Sequence, residues 1–394
     1  LFAETSGKNA LIVTPQADLD LAAADLVRSA FGHQGQKCSA ASLGILVGTV
    51  ATDERFLRQV VDAAASLHVG PTTDPATMFG PLVAPASGKL LDALTVLAPG
   101  EEWLLEPRCL DDEGRTWTPG IKAGVQPGSQ FHRTEYFGPV LGLMATDTLE
   151  EAIDVQNAVD YGLTGGIHSL DPVEVDAWLE RVEVGNAYVN RAITGAIVQR
   201  QPFGGWKRSS VGVGAKAGGP DYLLQLGTWT PTRDLSEVDQ TELAIADDGW
   251  WEGRYGISQD PAGLFCESNV LRYRPFSDLI VRVGPGATQA EVDRVLAAAT
   301  RCGVVPRISR AIDDDDATFA GTLTAHRFGR IRAVGFVSET IRRAAIAAEV
   351  ELVDESVTAS GRLELRHHLR EQAISRTLHR FGNLIGARGT DSIN

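Results

Sequence analysis

The chain carries a carboxylate and a thiol at a spacing that suggests paired chemistry. Glu4, in Glu4-Thr5-Ser6-Gly7-Lys8-Asn9, precedes Cys38, in Phe31-Gly32-His33-Gln34-Gly35-Gln36-Lys37-Cys38-Ser39, by 34 residues. A cysteine is a useful nucleophile when part of it is thiolate and when backbone N–H groups beside it can hold an oxyanion. Cys38 follows a Gly-Gln-Lys turn after a helical stretch, where such N–H groups are free, and Lys37 adds positive charge nearby. A carboxyl of raised pKa can take a proton from water, the role open to Glu4. Two further motifs follow in order, Glu135-Tyr136-Phe137-Gly138-Pro139-Val140 and Pro202-Phe203-Gly204-Gly205-Trp206-Lys207. Each residue also has a plainer reading: a lone cysteine is usually a small buried hydrophobe, Glu135 a solvated loop acid, Phe137 a core aromatic. Cys109, Cys266 and Cys302 lack comparable flanks and read as structural.

The segments that must position these residues alternate between strand and helix. Residues 10–14 read as a buried strand, 18–31 as a helix, 43–50 as a second strand, and 52–68 as an amphipathic helix with Asp53 and Glu54 in its first turn. Segments 140–145, 149–157, 173–182 and 187–190 continue the alternation, with Gly-Pro pairs marking loops. The pattern predicts an α/β domain with a largely parallel sheet over 1–230. Residues 231–260, polar, acidic and tryptophan-containing, read as a connecting segment. A smaller α/β unit is expected over 261–394, with strands near 279–283, 304–309, 331–337 and 350–353, helices at 289–302 and 339–348, and a long helix from 361 to 379. Gly284-Pro285-Gly286 is a poor dinucleotide fingerprint, because Pro285 intervenes and a third glycine is absent. Asp313–Asp316 reads as a solvated turn rather than a metal site.

A length of 394 residues allows two cores. The net charge of −15 argues against nucleic acid, whose phosphates need clustered Lys and Arg. Four cysteines without CxxC or His-rich spacing argue against zinc and any other metal centre, and suit a reducing cytoplasm. No apolar run approaches the length of a membrane span, and no signal-peptide pattern is present. The chain opens at Leu1 inside a working motif, which reads as a fragment of something longer.

Taken together, Glu-x-x-Gly-Lys, Gly-Gln-x-Cys, Glu-x-Phe-Gly-Pro-Val and Pro-Phe-Gly-Gly-x-Lys, in this order over residues 4–207, strongly resemble the NAD(P)-dependent aldehyde dehydrogenase superfamily. The stretch Tyr188 to Phe203 resembles its glutamate-semialdehyde (1-pyrroline-5-carboxylate) dehydrogenase branch, most closely the form in bifunctional proline utilization A proteins. Lys216-Ala-Gly-Gly-Pro220 continues that pattern, and residues 369–383 resemble the end of long chains of that kind. The resemblance implies a three-layer αβα catalytic domain, followed by a smaller aldehyde-dehydrogenase-like domain that helps close a channel for the intermediate.

It also implies roles. Cys38 would attack the aldehyde carbon to give a thiohemiacetal, its own backbone N–H holding the oxyanion, and Glu4 would be the base for water attack on the thioester. Glu135, Phe137 and Thr5 would face NAD. Gly195 and Ala196 would hold the substrate's α-carboxylate and amine through backbone groups, Ser39 would add a hydroxyl ligand, and Phe203 an aromatic wall. A glycine-bearing turn can present N–H donors closely to an anion, although the same turn can equally bind nothing. The NAD-binding Rossmann domain, the asparagine completing the oxyanion hole, and a flavin-dependent proline dehydrogenase domain holding FAD would all lie upstream of Leu1. The implied partners are glutamate semialdehyde and upstream domains of the same polypeptide, with homo-oligomerisation and NAD against NADP left open, and the implied location is the cytoplasm. Ser6, where glycine is usual, and Ser209-Ser210, where Ser-Gly is usual, depart from the pattern and touch loop shape. Two other readings compete: a structural or assembly fragment without turnover of its own, and an aldehyde dehydrogenase of different specificity.

Overall fold

The computed structural model describes residues 2–212, 214–323 and 329–384. Seven strands from the first part of the chain run in the order β1 (Asn9–Val13), β2 (Ala41–Val47), β3 (Glu102–Leu105), β4 (Gly120–Ala123), β5 (Val140–Thr146), β6 (Thr164–His168) and β7 (Asn186–Val189). Strand β1 shows why they form a middle layer. Its alternate side chains point to opposite faces, so Ala10 and Ile12 join one apolar cluster while Leu11 and Val13 join another. Helix Leu19–Phe31 covers one face with Leu26 and Val27, and helices Leu149–Asn157 and Pro172–Arg181 cover the other with Ile153, Val175 and Trp178. Each fully buried aliphatic side chain contributes about 1.5–3 kcal/mol, enough to fix the register of so apolar a strand. Helix starts match their sequence signals: Asp18 accepts from the Leu21 N–H at 3.2 Å and Asp53 from the Phe56 N–H at 3.0 Å.

Six more strands follow: β8 (Glu267–Pro275), β9 (Leu279–Val283), β10 (Arg307–Arg310), β11 (Arg330–Val334), β12 (Glu351–Val353) and β13 (Leu369–Thr377). Among the described residues, four of them form a parallel sheet in the order β10-β9-β11-β12. The other two do not stay with it. Strand β13 pairs parallel with β7, and β8 pairs antiparallel with β13 along nine residues, giving a nine-stranded sheet in the order β8-β13-β7-β6-β1-β2-β5-β4-β3. Its interior pairs are parallel, and only the outermost pair at each edge is antiparallel. The boundaries expected at 230 and 260 therefore do not follow the sheets, because residues beyond 260 complete the larger one.

Four local expectations need correction. The long helix expected over 361–379 stops at Arg366, and Leu369–Thr377 is extended. Its helix-compatible composition is overridden because β8 and β7 satisfy its backbone on both sides. The connecting segment contains helix Gln240–Trp250, held by a buried bidentate pair in which Arg294 donates to both Asp247 oxygens at 2.7 and 2.8 Å. Asp313–Asp316 is more than a solvated turn: Asp315 caps helix Asp316–Thr322, and Asp316 accepts from the buried Arg282 at 2.8 Å. Strand β6, Thr-Gly-Gly-Ile-His, was not expected at all. Its glycines suggest a turn, but a Cβ on Gly166 would lie 2.5 Å from Ile193, and one on Gly165 would lie 2.6 Å from Gln156. No described helix is long and apolar enough to cross a membrane.

Candidate active site

The candidate nucleophile is delivered by a turn of left-handed residues after helix Leu19–Phe31: His33, Gln34 and Gly35 have φ of 54°, 59° and 68°. Glycine is required at 35, where a Cβ would lie 2.2 Å from the Gly138 carbonyl oxygen. Gln36 Nε2 donates to the Phe137 carbonyl at 3.2 Å, so this turn sits directly on the 137–138 loop. Behind Cys38, Asn9 Nδ2 donates to the carbonyls of Cys38 and Ala40 at 2.8 and 2.9 Å, and Thr164 Oγ1 donates to the Ser39 carbonyl at 3.2 Å. The backbone N–H groups of Ser39 and Cys38 lie near enough to the sulfur to favour its thiolate. Burial pushes the thiol up, these N–H groups pull it down, and the charges of Glu135 and Glu4 push it up again, leaving it raised.

Glu4 is fixed by the glycine pair. The Gly205 N–H donates to its Oε2 at 2.7 Å and Ser210 Oγ donates to Oε1 at 3.4 Å, across the short pairing of Ala3–Glu4 with Ser210–Val211. A Cβ on Gly204 would lie 2.9 Å from Glu4 Oε1. Although Glu4 is exposed as a residue, the protein mass around its carboxyl disfavours charge. That burial outweighs the Gly205 N–H, the Lys216 charge and the Ser210 hydroxyl, and pushes the carboxyl up to about 7.

On the expected cofactor side, Glu135 Oε1 accepts from the Gly7 N–H at 3.0 Å. Gly7 is pinned between groups, since a Cβ there would lie 2.6 Å from the Cys38 carbonyl. Lys8 is buried with its ammonium 4.3 Å from the Phe131 ring centre and 5.2 Å from that of Tyr136. Burial lowers it to about 7 against the opposing charge of Glu135. Phe137, in the left-handed region with φ of 55°, presents an exposed ring. Thr5 is exposed, its hydroxyl donating to the Arg208 carbonyl at 2.9 Å. The chemistry of Glu135 suits the ribose end of a nucleotide: Gly7 engages Oε1, and a carboxylate's second oxygen can accept from a hydroxyl.

Glu135 and Glu4 thus both lie within electrostatic reach of Cys38, and Ser39, the next residue, is buried. Phe203 is half-buried and exchanges backbone hydrogen bonds with Ala217 at 2.9 and 3.0 Å. Gly195, with φ of 83°, and Ala196 occupy an exposed loop. Its hydrogen bonds run to the C-terminal strands. Gln201 Oε1 accepts from the Ile197 N–H at 2.8 Å, while Gln201 Nε2 donates to Asn269 Oδ1 at 2.7 Å and Ser375 Oγ at 2.9 Å. Arg191 adds a 2.8 Å hydrogen bond to Ser375 and lies 3.4 Å from Glu267.

Sequence reasoning passed over Asn9, Thr164, Gln201 and Ser210. Asn9 lay inside the quoted Glu4 motif, and Ser210 was noted only as a departure that changes loop shape, whereas it touches Glu4. Thr164 and Gln201 gave no local signal, because their partners are distant in sequence.

Fold and site define an α/β protein with a thiol-centred constellation on a mostly parallel sheet. Residues 1–229 match the aldehyde dehydrogenase family, and the chain belongs to it. It is 37% identical over 225 residues to the 1-pyrroline-5-carboxylate dehydrogenase of Geobacillus sp. (strain WCH70), covering 57% of this chain and 43% of that protein. Identity to the enzyme of the same name from Bacillus subtilis (strain 168) is also 37%, with the same coverage. The chain spans less than half the length of these curated relatives. Among solved structures, proline utilization A (PutA) from Corynebacterium freiburgense is 49% identical with a TM-score of 0.86, covering 97% of this chain and 40% of that one. A Thermus 1-pyrroline-5-carboxylate dehydrogenase with bound NAD is 39% identical with a TM-score of 0.51, covering 57% of this chain and 43% of that one.

Proposed function

We propose that this chain is the catalytic portion of an NAD-dependent L-glutamate γ-semialdehyde (1-pyrroline-5-carboxylate) dehydrogenase that oxidises the semialdehyde to L-glutamate in proline catabolism. The observation that carries this reading is the pairing of Cys38, its backbone held by Asn9 at 2.8 Å, with a Glu4 carboxyl held by the Gly205 N–H at 2.7 Å and within electrostatic reach of the thiol. As thiolate, Cys38 forms a C–S bond to the aldehyde carbon, and the carbonyl electrons move onto an oxygen that accepts from the Cys38 N–H. NAD, held by Glu135 and by Phe137 with Thr5 alongside, supplies the hydride acceptor for this oxidation. Glu4, poised near neutrality, takes a proton from the water that attacks the Cys38-bound acyl carbon. The C–S bond then breaks and its electrons return to sulfur. Backbone groups of Gly195 and Ala196, with the Ser39 hydroxyl, hold the α-carboxylate and amine, and Phe203 walls the aldehyde chain.

The test uses the protein with its upstream region and follows NADH formation from 1-pyrroline-5-carboxylate beside an aliphatic aldehyde of similar length. Strong preference for the former, abolished by Cys38→Ala, supports nucleophile and carboxylate anchor together. Equal rates sink the substrate assignment and leave an aldehyde dehydrogenase of other specificity. No turnover with either favours a structural role.

A further inference from the structure

One peptide group links the candidate base to a residue far along the chain. The Gly204–Gly205 peptide donates through the Gly205 N–H to Glu4 Oε2 at 2.7 Å. On its other side, the Gly204 carbonyl accepts from the ammonium of Lys216, which also donates to Asn186 Oδ1 at 3.1 Å. Lys216 is 1% exposed, so its charge acts in a low-dielectric setting and polarises that peptide toward stronger donation at the N–H. Lys216 is in turn fixed by Glu371 of β13, whose Oε2 accepts from the Lys216 N–H at 2.7 Å. Trp206 closes the arrangement, its indole N–H donating to the Glu371 carbonyl at 2.8 Å.

We propose that Glu371 is a positioning residue for the base: by holding Lys216 under the Gly204–Gly205 peptide, it sets how strongly that peptide's N–H grips the Glu4 carboxylate. The proposal rests on the reading of Glu4 as the base for water attack. The charged and titratable neighbours are few. Lys216 faces Glu4 and Glu371; Glu4 faces Lys216, the Ser210 hydroxyl and the Cys38 thiol; Glu371 faces Lys216, Asp221 and Tyr273. Burial lowers Lys216 to about 8 against the opposing charges of Glu4 and Glu371, and burial likewise raises Glu371 to about 8. Losing the Glu371 acceptor frees the Lys216 backbone N–H and lets the ammonium withdraw from the Gly204 carbonyl, which removes positive charge from behind Glu4 and raises the Glu4 carboxyl further. Because Glu4 acts ionised, the acid limb of turnover then moves to higher pH.

The experiment compares Glu371→Ala, Glu371→Gln and Lys216→Met in the protein with its upstream region, by stopped-flow NADH burst and by the pH profile of steady-state turnover. Glutamine keeps an oxygen able to accept from the Lys216 N–H. The expected result for Glu371→Ala and Lys216→Met is a preserved burst, steady-state turnover lowered by about tenfold, and an acid limb displaced upward, with Glu371→Gln recovering most of the loss. Unchanged turnover and pH profile in Glu371→Ala would overturn the proposal. So would burst and turnover falling together with the wild-type pH profile, since that marks general structural damage. If the unmodified protein gives no NADH at all, the underlying reading of the site fails, and the burst of the unmodified protein separates that case from failure of the positioning role.

Discussion

Gln201 and Asn269 meet at 2.7 Å, joining the loop that carries Gly195 and Ala196 to a strand of the C-terminal half. Both side chains are buried, and Ser375 completes the group at 2.7 Å from Asn269. A buried amide that loses its partner costs about 1–3 kcal/mol. Asn269→Ala is therefore expected to raise KM for 1-pyrroline-5-carboxylate by about tenfold, with little change for an aldehyde lacking a carboxylate. Steady-state kinetics with both substrates checks this, and an equal rise for both would remove the loop from carboxylate binding.

Gly7 packs against the backbone of Cys38. A methyl group there would meet the Cys38 carbonyl at 2.6 Å and the Asn9 amide at 2.7 Å, neither of which can withdraw without breaking the hydrogen bond between them. Gly7→Ala should destabilise the fold by about 1–3 kcal/mol and slow alkylation of Cys38. Chemical denaturation and iodoacetamide labelling followed by mass spectrometry measure the two effects; a variant with wild-type stability would show that the turn yields freely.

Cys38 should titrate above an ordinary thiol, because burial leads the shift and the charges of Glu135 and Glu4 add to it. Its alkylation rate is expected to climb through the alkaline range. Glu4→Gln removes a negative charge that opposes the thiolate, so the midpoint should move down and labelling at neutral pH should accelerate. A midpoint that rises in Glu4→Gln would contradict the electrostatic contact.

A buried bidentate ion pair lies away from the site. Glu364 accepts from Arg332 Nε at 2.9 Å and Nη2 at 3.0 Å, with both side chains almost wholly buried. Burial opposes charge on Glu364, but Arg332 overrides it and leaves the carboxyl lowered. A carboxyl held low contributes stability that is present above its unfolded value of about 4.3 and lost as pH falls through its folded value. Glu364→Ala should cost about 3–5 kcal/mol at neutral pH by stranding Arg332. Urea denaturation at descending pH should find that difference shrinking in acid; a constant difference would mean that the charge is irrelevant.

Much of the site was legible because it is carried by short motifs whose internal spacing is local. Glu4, Cys38 and Glu135 announce themselves by type and order, and strands β1, β2 and β5 by predominantly apolar runs. What escaped was set by partners far away in sequence. Strand β6 hides behind glycines that exist because Gln156 and Ile193 crowd them. Residues 369–377 have a composition that suits a helix, and pairing with β8 on one side and β7 on the other makes them a strand. The contact between Lys216 and Glu371 spans 155 positions, and neither flank hints at the other.

The entry of β13 beside β7 also has a consequence for how the molecule is made. Arg191 and Ser375 are 184 positions apart in sequence yet hydrogen-bonded. During synthesis strands β1 to β7 emerge with the β7 edge exposed, and the chain must lay down a second sheet before the covering strand arrives. Closing so long a loop is slow, and an open strand edge invites pairing with the wrong partner meanwhile. The loop that carries Gly195 and Ala196 is thus braced late, so a nascent or truncated chain carries the thiol before it carries the support for that loop.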